Sequence, residues 1–164
     1  MQDYIIIGFS THKSFNLLSW VIKKVERTDF SHVYVKIFSK SLDRYLVYQA
    51  SGLAVNFCGQ DTFYAHNKDV AEFAIAVTPE QKIEVLKKCV DLAGKPYGMK
   101  DLIGIGLVRL AGLIRWKIRN PFADGSKTYI CSETAATILV VIGFKFEELD
   151  STTPKDIYEK LRGL

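Results

Sequence analysis

Two periodicities of apolar residues run along this chain. Tyr4 to Phe9 is an unbroken apolar run that predicts a buried first strand, and Ser10 to Ser14 reads as a turn. With Ser14 as N-cap, Phe15, Leu18, Val21, Ile22 and Val25 recur at helical spacing and predict a helix through about Arg27. The period then changes to two. From Ser31 to Phe38, Val33, Val35 and Ile37 fall on one face of a predicted strand, with His32, Tyr34, Lys36 and Phe38 on the other. A polar link leads to a partner strand over Arg44 to Ala50, the pattern of an antiparallel hairpin, with Gln49 near its end. Leu53 to Cys58 and Val70 to Val77 predict two further strands, separated by a polar, irregular stretch from Gly59 to Asp69.

Helix-start chemistry governs the second half. Thr78-Pro79-Glu80-Gln81 combines a cap, a proline at the first helical position and a glutamine that can close a capping box. The helix it opens runs to about Leu92, with Ile83, Leu86 and Val90 as its expected inner stripe, and Gly94 stops it. Met99 to Ile118 reads as one long or two short helices, and Asn120 to Lys127 as a loop. Thr134 to Ile142 is apolar almost all round, so it predicts a buried helix with Cys131 in its first turn. A last helix opens at Thr153-Pro154.

At 164 residues and 48% hydrophobic, the chain can build the core of one domain over 1–164 without staples. Its three cysteines, Cys58, Cys89 and Cys131, are odd in number and widely spaced, which predicts free thiols and no zinc site. No cofactor or metal-ligand set is evident. The net charge of +4 permits an anionic partner, but no nucleic-acid reading motif accompanies it. Met1 to Gly8 lacks the basic region of a signal peptide and reads as a strand, which suggests a cytoplasmic or a phage-encoded, delivered protein. Between residues 101 and 119, Arg109, Arg115, Lys117 and Arg119 are interleaved with apolar residues and Trp116, a pattern that can lie on a membrane surface; a core helix with a cationic rim is the favoured reading.

Chemistry enters with Cys131. Unpaired N–H groups and the positive end of the dipole at a helix start favour the thiolate, which is the reactive form. Ala135 and Ala136 keep that first turn thin enough for a sheet to approach. Nucleophilic cysteine chemistry also needs a base and a group that orients it, and His32 and Gln49 sit on neighbouring predicted strands. His12 and His66 have no such context and read as surface or loop residues.

Four segments in order carry a resemblance: Phe30-Ser31-His32-Val33-Tyr34-Val35, Tyr48-Gln49-Ala50-Ser51-Gly52-Leu53, Gly94-Lys95-Pro96-Tyr97-Gly98 and Tyr129-Ile130-Cys131-Ser132-Glu133. Together they are similar to the circularly permuted branch of the NlpC/P60 superfamily of papain-like cysteine hydrolases, to which the lecithin–retinol acyltransferase group is related. The resemblance implies an α+β, permuted papain-like fold with an antiparallel sheet packed against the cysteine helix. It implies Cys131 as nucleophile, His32 as base and Gln49 as the group that holds the imidazole, with Tyr97, Tyr129 and Ser31 contacting substrate. Many relatives have glutamate where this chain has Gln49, and an amide cannot offset an imidazolium charge. The implied activity is that of a cysteine peptidase or amidase on a peptide or acyl substrate, with cell-wall peptides first. A thiol acyltransferase or lipid hydrolase at a membrane surface and a non-enzymatic binding module on the same fold are the alternatives.

Overall fold

The computed structural model describes residues 3–52, 54–98 and 129–164. In chain order these form β1 (Asp3–His12), α1 (Leu17–Glu26), β2 (His32–Ser39), β3 (Arg44–Ser51), β4 (Ala54–Gly59), α2 (Gln60–His66), β5 (Asn67–Val77), α3 (Pro79–Leu92), α4 (Cys131–Val141) and α5 (Pro154–Arg162). The strands make one antiparallel sheet in the order β4-β3-β2-β1-β5. An α+β architecture results. The helices expected over Met99 to Ile118, the loop over 120–127 and the basic stretch 101–119 lie outside the described residues.

Strand alternation decides which face is the main core. Ile5, Ile7 and Phe9 of β1, Val33, Val35 and Ile37 of β2, and Tyr48 and Ala50 of β3 form a single buried cluster with Val85, Cys89 and Leu92 of α3, Ala135, Ala136, Ile138 and Leu139 of α4, and Ile157 and Leu161 of α5. The two alanines let α4 lie close over the middle of the sheet, as their small side chains predict. On the other face, α2 covers a smaller cluster of Tyr34, Val47 and Phe63. Gly8 lies opposite Tyr34 on one side and Glu72 on the other. Without a side chain at Gly8, the Tyr34 ring crosses β1, and its hydroxyl lies 2.7 Å from both Asp69 Oδ1 and Glu72 Oε1.

Four expectations are corrected. β1 continues to His12, which pairs with Asn67, because β5 is long enough to supply partners to its end. Gly59 to Asp69 is not irregular: Gln60–His66 is helical, a short polar helix anchored by the buried Phe63. The cap of α1 is Asn16, whose side chain accepts from the Ser19 N–H at 2.9 Å; Leu18, Ile22 and Val25 of its apolar stripe are half-buried, Phe15 and Val21 are exposed, and the polar Ser19 and Glu26 are its buried residues. In α3 the Thr78–Gln81 capping box forms as predicted, but the inner stripe is Val85, Cys89 and Leu92, with Ile83 and Val90 exposed. There the small thiol of Cys89 packs as an apolar residue.

Backbone pairing fixes the start of α4. The Val55 N–H donates to Lys95 O and the Gly94 N–H to Val55 O, both at 2.9 Å, so the segment after α3 lies along β4. The Tyr129 N–H then donates to Pro96 O and the Gly98 N–H to Tyr129 O, again at 2.9 Å. Cys131 is thereby tied to the sheet edge through two short bridges.

Candidate active site

His32 opens β2 and Gln49 lies near the end of β3. In the β2–β3 register Lys36 faces Val47, so the face that carries His32, Tyr34 and Lys36 also carries Gln49. The two side chains meet: His32 Nε2 and Gln49 Oε1 are 2.8 Å apart. Gln49 Nε2 in turn donates to Cys58 Sγ at 3.6 Å, across the β3–β4 pair in which Gln49 faces Asn56. With its NH₂ committed to sulfur, the amide presents an acceptor to the ring, so His32 carries its proton on Nε2 and leaves Nδ1 as a bare base. Cys58 has no signal in the sequence beyond the strand alternation that puts it on Gln49's face.

Electrostatics keep the ring neutral. Burial pushes the His32 pKa down to about 4, the Gln49 hydrogen bond pulls it partly back, and the nearby charge of His12 lowers it further. An amide partner suits an imidazole that rests uncharged. Phe63 flanks the ring at a centroid distance of 6.3 Å, and Tyr34 packs on Phe63 at 4.4 Å.

Cys131 is the first residue of α4, as the sequence predicts, and Ile130 at the cap offers no side-chain hydrogen bond to the first turn. The thiol is 4% exposed. Burial pushes its pKa up, against smaller downward contributions from the backbone N–H groups of Val33, Ser132 and Cys131 itself. The expected thiolate is corrected accordingly: desolvation outweighs the helix start, and the resting sulfur is a thiol. Contact with the Val33 N–H brings the sulfur to the residue next to His32. Tyr97 belongs to the same neighbourhood. Burial raises the pKa of its hydroxyl, and the Cys131 thiolate charge would raise it further, so the phenol stays a proton donor.

A cleft of about 550 Å³ opens on the His32 side. Ser31, His32, Gln49, Cys58 and Tyr97 line it, as do His12 and His66, and among the described residues its lining holds no Asp, Glu, Lys or Arg. His12 and His66 are exposed as expected, yet they share one cavity with His32, because the ends of β1 and α2 converge there. Cys131 is not part of the cleft lining. Ser31 is buried, with its hydroxyl bonded to Ser19 Oγ and its N–H donating to Ser10 O, so its side chain supports α1 as well as facing the cleft. Tyr129 is corrected: it packs in the main core, with the Lys95 ammonium 5.3 Å from its ring centroid, and does not line the cleft. Among the described residues no group of three His, Cys, Asp or Glu side chains could hold a metal ion.

No family model and no curated protein matches this chain. A solved structure does: the crystal structure of metalloprotein yiiX from Escherichia coli O157:H7, DUF1105, with a TM-score of 0.58 and 16% identity over 97% of this chain and 79% of that one. The likeness is one of fold. Among the described residues no helix is long and apolar enough to cross a membrane.

Proposed function

We propose that this chain is a cysteine hydrolase of the permuted NlpC/P60, papain-like kind, which cleaves an amide bond through an acyl-thioester on Cys131. The observation that carries the reading is the 2.8 Å bond from His32 Nε2 to Gln49 Oε1, because it fixes the tautomer a general base needs. In the proposed reaction the Cys131 sulfur attacks the substrate carbonyl carbon while His32 Nδ1 takes the thiol proton. The backbone N–H groups of Cys131 and Ser132 receive the developing oxyanion. The imidazolium then protonates the departing amine, and the C–N bond breaks. Water, deprotonated by the same nitrogen, attacks the thioester and releases acid and thiol.

A neutral thiol–imidazole couple activates its nucleophile only as the bond forms, in the manner of a serine–histidine pair. The proposal therefore requires the substrate to reach a sulfur that lies behind the cleft wall. Peptides are the first substrate class, with cell-wall peptides foremost, since an amide fits a cleft lined by hydroxyls, amides and imidazoles.

The test is acylation by p-nitrophenyl acetate, followed by mass spectrometry in a Cys58→Ser/Cys89→Ser background. Hydroxylamine-labile acetyl should appear on Cys131, and His32→Ala should slow its formation by about a hundredfold or more. Acylation that ignores His32, or none at Cys131, overturns the reading.

A further inference from the structure

Helix α1 leaves part of its apolar surface uncovered. Its buried residues are the polar Ser19 and Glu26: Ser19 Oγ bonds Ser31 Oγ and lies 3.4 Å from Thr11 Oγ1, and Glu26 Oε2 accepts from Thr153 Oγ1 at 2.7 Å. Leu18, Ile22 and Val25 are half-buried, but its other large apolar residues point outward. Leu17 is 64% exposed, Trp20 48% and Val21 39%, and Phe15, just ahead of the cap, is 81% exposed. Positions 17, 20, 21 and 24 recur at spacings of three and four, so Lys24 shares that side; Arg27, the C-cap, lines the same depression as Trp20 and Lys24, and both cations are exposed. Beside the apolar cluster, a shallow depression of about 530 Å³ is lined by Trp20, Lys23, Lys24, Arg27, Thr28 and Asp29, three cations against one carboxylate.

We propose that the outer face of α1, together with Phe15, docks this protein on an anionic lipid bilayer. Phe15, Leu17, Trp20 and Val21 would enter the boundary between headgroups and acyl chains, while Lys24 and Arg27 meet lipid phosphates. The inward hydrogen bonds hold α1 in this orientation before any contact is made. Charge complementarity argues for an anionic bilayer, since Lys23, Lys24 and Arg27 gather beside the apolar cluster against the single carboxylate of Asp29. Shape argues the same way. The patch is a convex helix flank with aromatic tips and a cationic rim, an arrangement that enters a headgroup layer without needing a matching groove. Leu18 and Ile22 of the same helix line the cleft, so docking brings the cleft mouth to the membrane.

The experiment is sedimentation of the full chain with vesicles of phosphatidylcholine alone and of phosphatidylcholine mixed with phosphatidylglycerol. Wild type should bind the anionic vesicles at least about tenfold more tightly, and in Trp116→Phe the emission of Trp20 should shift to the blue on binding. The pair Phe15→Ser/Trp20→Ser should lose at least about tenfold in binding with an unchanged melting temperature, because both side chains are exposed. Lys24→Glu/Arg27→Glu should remove the preference for phosphatidylglycerol, at about fivefold per cation. Failure of wild type to sediment overturns the proposal. So does binding that survives Phe15→Ser/Trp20→Ser, which would move the contact to another segment such as 101–119, or a dimer that the same pair dissolves.

Discussion

The neutral state of His32 can be measured without any substrate. In the unfolded chain its imidazole titrates near 6.5, whereas burial pushes the folded value down to about 4. As pH falls through 6.5 the unfolded chain takes up a proton that the folded protein refuses. Stability that is fully present above pH 6.5 is therefore lost progressively until the folded ring also protonates near pH 4. Integrated down to pH 4.5, the two values correspond to a loss of roughly 2–3 kcal/mol from this residue. Carboxylates titrate over part of the same window, so the quantity to measure is a difference. Urea unfolding at pH 7.5 and pH 4.5 would be compared between wild type and His32→Leu, which keeps the apolar contact with Phe63 but cannot titrate. Wild type should lose roughly 2–3 kcal/mol more than the variant over that interval. Equal losses, to within about 0.5 kcal/mol, would mean that the ring accepts a proton as readily folded as unfolded, and the argument for a resting neutral base would fail.

Three further expectations concern the surroundings of the site. Gly8→Ala would place a Cβ 2.5 Å from Tyr34 Cε2 and closer still to Cζ and Oη, so the buried ring must leave Asp69 and Glu72; we expect a cost of about 3 kcal/mol or more by urea unfolding, nearly abolished in a Tyr34→Leu background. A cost of the same size in both backgrounds would sink that explanation. Cys58→Ala removes the acceptor of the Gln49 NH₂, so the amide can turn and the His32 proton can move to Nδ1, while Cys58→Ser keeps an acceptor; long-range ¹H–¹⁵N spectra of the ring should show the tautomer change in the first variant alone. Thr78→Ala loses one capping box, at about 1 kcal/mol, whereas Thr153→Ala also loses the bond to the buried Glu26 carboxylate and should cost about 2–3 kcal/mol; equal melting shifts would deny that bond a structural role.

What the sequence made legible was whatever depended on residues close in the chain. The Thr78 capping box, the helix start at Thr153-Pro154, the alternation over His32 to Phe38 and the Arg44 hairpin need only near neighbours, and all four form. The hairpin also brought His32 and Gln49 to one face, so the pair most important to the site was readable from two strands and a short link. Orientation about a helix axis was less accessible. In α1 the fully buried residues are held by hydroxyls at Thr11, Ser31 and Thr153, none of them part of the helix, so its apolar period could not reveal that Ser19 and Glu26 are the ones enclosed. The charge state of Cys131 failed for a related reason. The dipole of a helix start is a local property, but the burial that outweighs it comes from the sheet beneath. Cys58 escaped notice because its role is a diagonal contact across two strands, for which spacing along the chain gives no clue.

The two bridges that tie Tyr129 to Pro96 and Gly98 have a topological consequence. Where the chain departs after Gly98 and where it returns at Tyr129, its ends are already hydrogen-bonded to each other. The two ends of the 99–128 stretch are thus held together by their own hydrogen bonds, and the cost of closing a loop between such ends grows slowly with its length, by about 0.6 kcal/mol per doubling. That stretch occupies a cassette position. Its length can change at little cost in closure entropy, so descendants of one scaffold could differ there while Gly98 and Tyr129 stay paired.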